Sequence, residues 1–175
     1  IQFAGDNASS SLIWSSGTWL DANTYQGNYT IADDNTTLNN VNFQITTAAD
    51  LDDHAIVPFI TDAIAIDTQN PAVNSFTSNT TTITDFSVGT TTVVLTFSFD
   101  EMMDVSVDPQ INFTGGDLTQ TLSYNAANSG WDVEGMTFTA TYDILDGNQE
   151  IDQVDAQITS ATDLNGNAQV ISDIT

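Results

Sequence analysis

Residues 136–144 read MTFTATYDI, and they alternate: Phe138, Ala140 and Tyr142 fall on one side of an extended chain, Thr137, Thr139 and Thr141 on the other. Such a strand packs one face on a core and turns the other to water. Strands are also predicted at 91–99, TTVVLTFSF, and 109–114, PQINFT. Further strands are predicted at 71–77, at 118–124 less its first residue or two, at 153–160 and at 168–172. About seven short strands are what an immunoglobulin-like sandwich requires. Trp131, just before 136–144, reads as a core or edge-covering aromatic, and Trp19 takes the corresponding place in the first part of the chain.

That correspondence belongs to an internal repeat. Residues 25–57, YQGNYTIADDNTTLNNVNFQITTAADLDDHAIV, align without a gap on 138–170, FTATYDILDGNQEIDQVDAQITSATDLNGNAQV, a shift of 113 positions (138 minus 25). Tyr25 matches Phe138, Tyr29 matches Tyr142, Ile31 matches Ile144, Val41 matches Val154 and Asp50 matches Asp163. Upstream, IQFAG at 1–5 matches INFTG at 111–115, and Leu12 and Trp14 match Leu122 and Tyr124. A period near the size of one sandwich domain predicts an all-β chain of tandem immunoglobulin-like Greek-key β-sandwiches. In this reading 1–66 is the C-terminal part of a repeat that lacks its opening strands, and 67–175 is a nearly complete second repeat. The stretch IDTQNP at 66–71 joins them, and Pro71, by fixing its own φ and extending Asn70, stiffens the crossing.

Composition narrows the chemistry. The chain has Lys+Arg 0 and Asp+Glu 24, a formal net charge of -24, so no carboxylate can find a Lys or Arg partner within it. Phosphate backbones and anionic lipid surfaces are bound through Lys and Arg, and neither a nucleic-acid nor a membrane-surface role is expected. Disorder is not expected either, because 40% of residues are hydrophobic and the nine Phe, four Tyr and three Trp stand in alternating runs. With Cys 0 there are no disulfides or Cys-based zinc sites. The chain shows no initiator Met, no signal sequence and no apolar stretch long enough to span a bilayer, and it reads as a piece of something longer. Proteases that require Lys or Arg before the cleaved bond have no site in it.

A chain of this charge draws counter-charge from solution, and calcium takes six to eight oxygen ligands of the kinds abundant here. In DLNGN, Asp163, Asn165 and Asn167 alternate, with Gly166 permitting a tight backbone. That spacing can aim oxygens at an ion. It can equally be an Asx turn, in which Asp163 bonds backbone amides and Asn-Gly reverses the chain. Asp67 at the linker and the cluster Asp100, Glu101 and Asp104 add weight to the ion, since carboxylates crowded without a cation repel. Asp50, Asp52, Asp53 and Asp62, expected near Asp67 at the boundary between units, form the first candidate calcium site.

The segments IDTQNPAV, FSFDEMMDVSVDPQINFTG and ATDLNGNAQ resemble the tandem bacterial immunoglobulin-like repeats of large secreted adhesins. The similarity covers the second unit end to end and the first from residue 1. It departs at FSFDEMMD, where Asp100 precedes Glu101 and Met102 replaces the commoner Pro, and at DLDDH, where Asp53 and His54 replace Gly-Asn. The resemblance implies an extracellular or cell-surface extender segment whose domain junctions bind calcium and whose partners are neighbouring repeats or identical subunits. One alternative is a filament subunit, whose incomplete first unit a neighbouring chain fills by strand addition. Another is a carbohydrate-binding module with Trp14, Trp19 or Trp131 as its glycan platform, Trp14 and Trp19 lying close together on either side of a predicted SSGT turn. No enzyme is expected: His54 is the single histidine, and the acidic pairs Asp33–Asp34 and Asp146–Glu150 fall in a hairpin turn that recurs in both units.

Overall fold

The computed structural model describes residues 1–171 and is all-β, as the alternation predicts. By its internal contacts the chain divides into two compact units, Ile1–Gln69 and a second that begins at Asn70. Residues 67–69 belong with the first, because Thr68 donates its N–H to the Thr36 carbonyl at 2.9 Å.

In the first unit, β1 (Gln2–Gly5), β5 (Phe59–Ile60) and β6 (Ile64–Asp67) all pair antiparallel with β4 (Thr37–Ile45), while β2 (Leu12–Trp19) and β3 (Tyr25–Ile31) form a separate hairpin. Ala8, Leu12, Val41 and Ile66 make a small buried core, and Phe3, Tyr29, Leu38 and Phe43 pack against it. The rings of Phe3, Tyr29 and Phe43 lie with centroids 5.4 to 5.9 Å apart. A buried hydroxyl in this unit is satisfied by a carboxylate: Ser11 Oγ donates to Asp34 Oδ1 and Oδ2 at 3.0 and 3.1 Å.

The second unit contains β7 (Val73–Ser78), β8 (Thr92–Phe99), β9 (Gln110–Thr114), β10 (Leu122–Tyr124), β11 (Gly130–Trp131), β12 (Thr137–Ile144) and β13 (Asp155–Ser160). One sheet runs β10-β12-β8-β7 with β11 also on β12, and β9 pairs with β13 in a second. Val93, Leu95, Phe97 and Phe99 of β8 are buried, while the Thr, Val and Ser residues between them are half-buried. Across the ladder Phe97 faces Phe138, Leu95 faces Ala140 and Val93 faces Tyr142. Ala156 and Ile158 of β13, with Ile111 and Phe113 of β9, close over the same core, so the two sheets share one apolar interior.

The halves of the repeat fold alike within themselves. β1 pairs with β4 as β9 pairs with β13, and β2 pairs with β3 as β10 pairs with β12. The same glycine kink ends β1 and follows β9: Gly5 has φ +78° and Gly115 φ +93°, and a Cβ on either would collide with a backbone carbonyl, that of Asn40 or of Gln153. Two details differ from the alternation. Thr141, expected on the wet face, is buried beneath the short turn at 126–128 and donates its hydroxyl to the Asn128 carbonyl at 2.8 Å. The predicted strand at 168–172 is not a ladder among the described residues. Ala168 makes one isolated bridge with Thr162, and Val170 N–H is taken by the Pro71 carbonyl at 2.9 Å.

Phe97 and Phe138 are fully buried opposite each other. Phe97→Ala is expected to cost the second unit about 3–5 kcal/mol in urea denaturation followed by Trp131 emission. A loss below about 1 kcal/mol would contradict this packing.

Candidate metal sites in two equivalent turns

The turn at 163–167 is closed by its aspartate. Asp163 Oδ1 accepts the N–H groups of Asn165 and Asn167, both at 2.8 Å, and Oδ2 accepts Asn167 Nδ2 at 2.8 Å. Gly166, at φ +90°, lets its N–H reach the Asp163 carbonyl at 3.3 Å. The turn at 50–54 repeats this geometry group by group. Asp50 Oδ1 accepts the N–H groups of Asp52 and His54 at 2.9 Å, and Oδ2 stands 3.0 Å from His54 Nδ1. Asp53 takes the left-handed position of Gly166 with φ +62°. Isolated bridges close both, Ala49 with Ala55 and Thr162 with Ala168. The aspartate in each turn therefore does the work of an Asx anchor.

The two turns differ in burial and company. Asp163 is only 2% exposed and also bridges through its backbone to Met103, while Asp50, Asp52 and His54 are exposed. In the second unit, Asp163 and half-buried Glu101 bring carboxylate oxygens within 4.8 Å of each other. In the first, one ligand atom each from Asp50, Asp52 and His54 lies within the same limit. The backbone N–H of His54 first, then its ring, hold the Asp50 carboxyl below the ordinary value of 3.8. His54 was not among the sequence-derived ligands, although the repeat alignment sets it opposite Asn167, whose side chain makes the equivalent bond.

The other acidic residues are placed for different work. Asp53 contributes its backbone to the turn, and Asp62 is exposed between β5 and β6; neither joins the Asp50 cluster, nor does Asp67. Asp67 ends β6, where Oδ1 accepts the Thr37 hydroxyl at 2.9 Å and the Gln69 N–H at 3.1 Å. Asp100 fastens the start of its unit, since its Oδ1 accepts the Ala72 N–H at 2.7 Å and its own N–H goes to the Ala72 carbonyl at 3.1 Å. Asp104 N–H bonds the Thr162 carbonyl at 2.9 Å, and its carboxyl, held below the ordinary value by the Ser106 hydroxyl and N–H, accepts that N–H at 2.9 Å.

Trp14 and Trp19 both lie on β2. Trp14 meets Tyr29 edge-on, centroids 5.2 Å apart at 80°, and Trp19 meets Tyr25 at 5.3 Å and 68°. A shallow concavity lies elsewhere, in the second unit, lined by Pro109, Phe113, Asp117, Leu118, Leu122 and Tyr142. Asp117 is already bonded to the Thr119 N–H at 2.9 Å.

Removing the anchor frees two backbone N–H groups at once. Asp163→Ala is expected to destabilise the second unit by about 1–3 kcal/mol, with Asp163→Asn recovering part of the loss because it keeps an acceptor. At Asp50, a carboxyl held below 3.8 contributes turn stability in full above that pH and loses it as pH falls through the lower folded value. A carbon-detected NMR titration should place the Asp50 midpoint under 3.8; a midpoint above it would contradict the His54 bonds. Comparison of the chain with protein-family models, curated proteins and solved structures gave no match in any of the three.

Proposed function

We propose that this chain is a structural extender: a piece of a tandem immunoglobulin-like array of an extracellular or surface protein, stiffened by calcium where one unit gives way to the next. The observation that carries the reading is Asp163, a buried carboxylate within 4.8 Å of a second carboxylate, Glu101, in a chain with Lys+Arg 0. Two such groups repel, and burial strengthens the repulsion. A hard divalent cation turns it into a cross-link, and it suits an all-oxygen donor set of carboxylates, Asn amides and carbonyls.

Position supports the mechanical role. In the second unit the chain begins at Asn70, buried Pro71 and Ala72, and these first residues are tied to Asp100 and Val170. Those two residues flank Glu101 and the 163–167 turn along the chain. A cation held by Glu101 and Asp163 therefore sits at the end of the unit where the polypeptide arrives. Extracellular calcium modules work at dissociation constants of about 0.1–1 mM, a range that a small carboxylate set reaches.

Calcium is expected to raise the melting temperature of the chain. Saturation at a hundred times Kd stabilises the liganded fold by about 2.7 kcal/mol. The Glu101→Gln, Asp163→Asn double variant should melt at one temperature with or without calcium. Wild-type melting that ignores both calcium and chelator would overturn the proposal.

A further inference from the structure

β3 and β12 occupy equivalent places in the repeat, yet their neighbours differ. β12 is bonded on one edge by β10 and β11 and on the other, over Thr137–Asp143, by β8. β3 pairs with β2 on one edge, and among the described residues its other edge carries no strand. The difference reaches the side chains. Ile144 is 4% exposed and its counterpart Ile31 is 70% exposed; Phe138 is fully buried and its counterpart Tyr25 is 41% exposed.

The tryptophans show which element makes the difference. Trp131 faces Phe138 across the ladder, and Trp19 faces Tyr25 in the same way, with ring centroids at 5.2 and 5.3 Å. Trp131 has a second ring against it, Phe99 of β8, at 5.3 Å. Trp19 has no ring on that side among the described residues and is 60% exposed. What β3 and Trp19 lack is what β8 supplies: a hydrogen-bonding edge, Phe97 opposite the first aromatic and Phe99 against the tryptophan.

We propose that β3 is an acceptor edge for an uncharged, alternating strand of the β8 kind, supplied by a further copy of this repeat. It enters antiparallel, the counterpart of Phe97 opposite Tyr25 and that of Val93 opposite Tyr29. The correspondence of β3 with β12, whose second edge is taken by β8, selects this occupant, and charge permits it. Residues 12–20 and 25–31 contain no Asp or Glu in a chain holding 24, and β8, TVVLTFSF, is equally free of charge. The added strand would continue the β2–β3 ladder as β8 and β7 continue β10–β12. A glycan fits this face less well. Trp14 is turned edge-on to Tyr29 and covers Gly27, where an added Cβ would stand 2.9 Å from its ring, and Phe138 and Tyr142, the counterparts of Tyr25 and Tyr29, belong to the core of the second unit. This inference needs the repeat correspondence and no cation.

The test is a labelled peptide of residues 91–99 added to the 175-residue chain, read by anisotropy, tryptophan emission and hydrogen exchange. Saturable 1:1 binding is expected, with a blue shift from Trp19. Exchange of the β3 amides not bonded to β2 should slow by about tenfold or more. A peptide with Asp at the positions of Phe97 and Phe99 should bind at least about tenfold more weakly. Three results would overturn the proposal: no slowing within 25–31; a free chain already dimeric with β3 protected, so that a second β3 closes the edge; or glycan binding at Trp14 and Trp19 without peptide binding.

Discussion

With no Lys or Arg, each carboxylate in this protein finds its partners among N–H and O–H donors or in solution. The fold is organised around that constraint. Asp6 Oδ2 gathers the N–H groups of Asn39 and Asn40 at 3.0 and 2.8 Å, Asp34 satisfies the buried Ser11, and Asp132 Oδ1 takes the N–H groups of Met136 and Thr137 at 2.9 and 3.2 Å. At Asp132 burial pushes the carboxyl up, and the bonds from Thr137, Met136 and Gly135 together overcome it and leave it below the ordinary value. These acids thus fasten turns, as at Asp132, and segments distant in sequence, as at Asp6 and Asp34, through hydrogen bonds in place of ion pairs.

One such network appears twice. Asp50 and Asp163 close turns that match in their backbone bonds, their left-handed residue and their bridging pairs, although the left-handed residue is Asp in one and Gly in the other. Anchoring a turn and holding a cation are compatible tasks, because a carboxylate offers about four acceptor directions. What separates the two turns is their surroundings. Asp163 is buried beside half-buried Glu101, whereas Asp50 faces solvent and its only basic company is His54.

Much of the fold was legible because alternation reports burial directly. β8 and β12 lie within a residue of their predicted bounds, and the pairing of Trp19 with Tyr25, like that of Trp131 with Phe138, follows the repeat. Thr141 escaped because its cover, the 126–128 turn, lies more than ten residues away and leaves no trace in the strand's own pattern. Asp100 looked like part of an acidic cluster, and its bond to Ala72 spans 28 positions that no local motif records. His54 was visible in principle: the alignment sets it against Asn167, and both offer a nitrogen to the same carboxylate oxygen. Residue type drew attention to catalysis when position pointed to a turn.

The central claim is that a divalent ion belongs beside Asp163. The most direct measurement is an anomalous difference map from crystals of this chain grown with millimolar calcium or a lanthanide substitute. The account predicts a peak within about 2.3–2.6 Å of carboxylate oxygens of both Asp163 and Glu101. A map that shows ordered side chains there, no peak between them and the Asp163 oxygens engaged by N–H groups alone would contradict it.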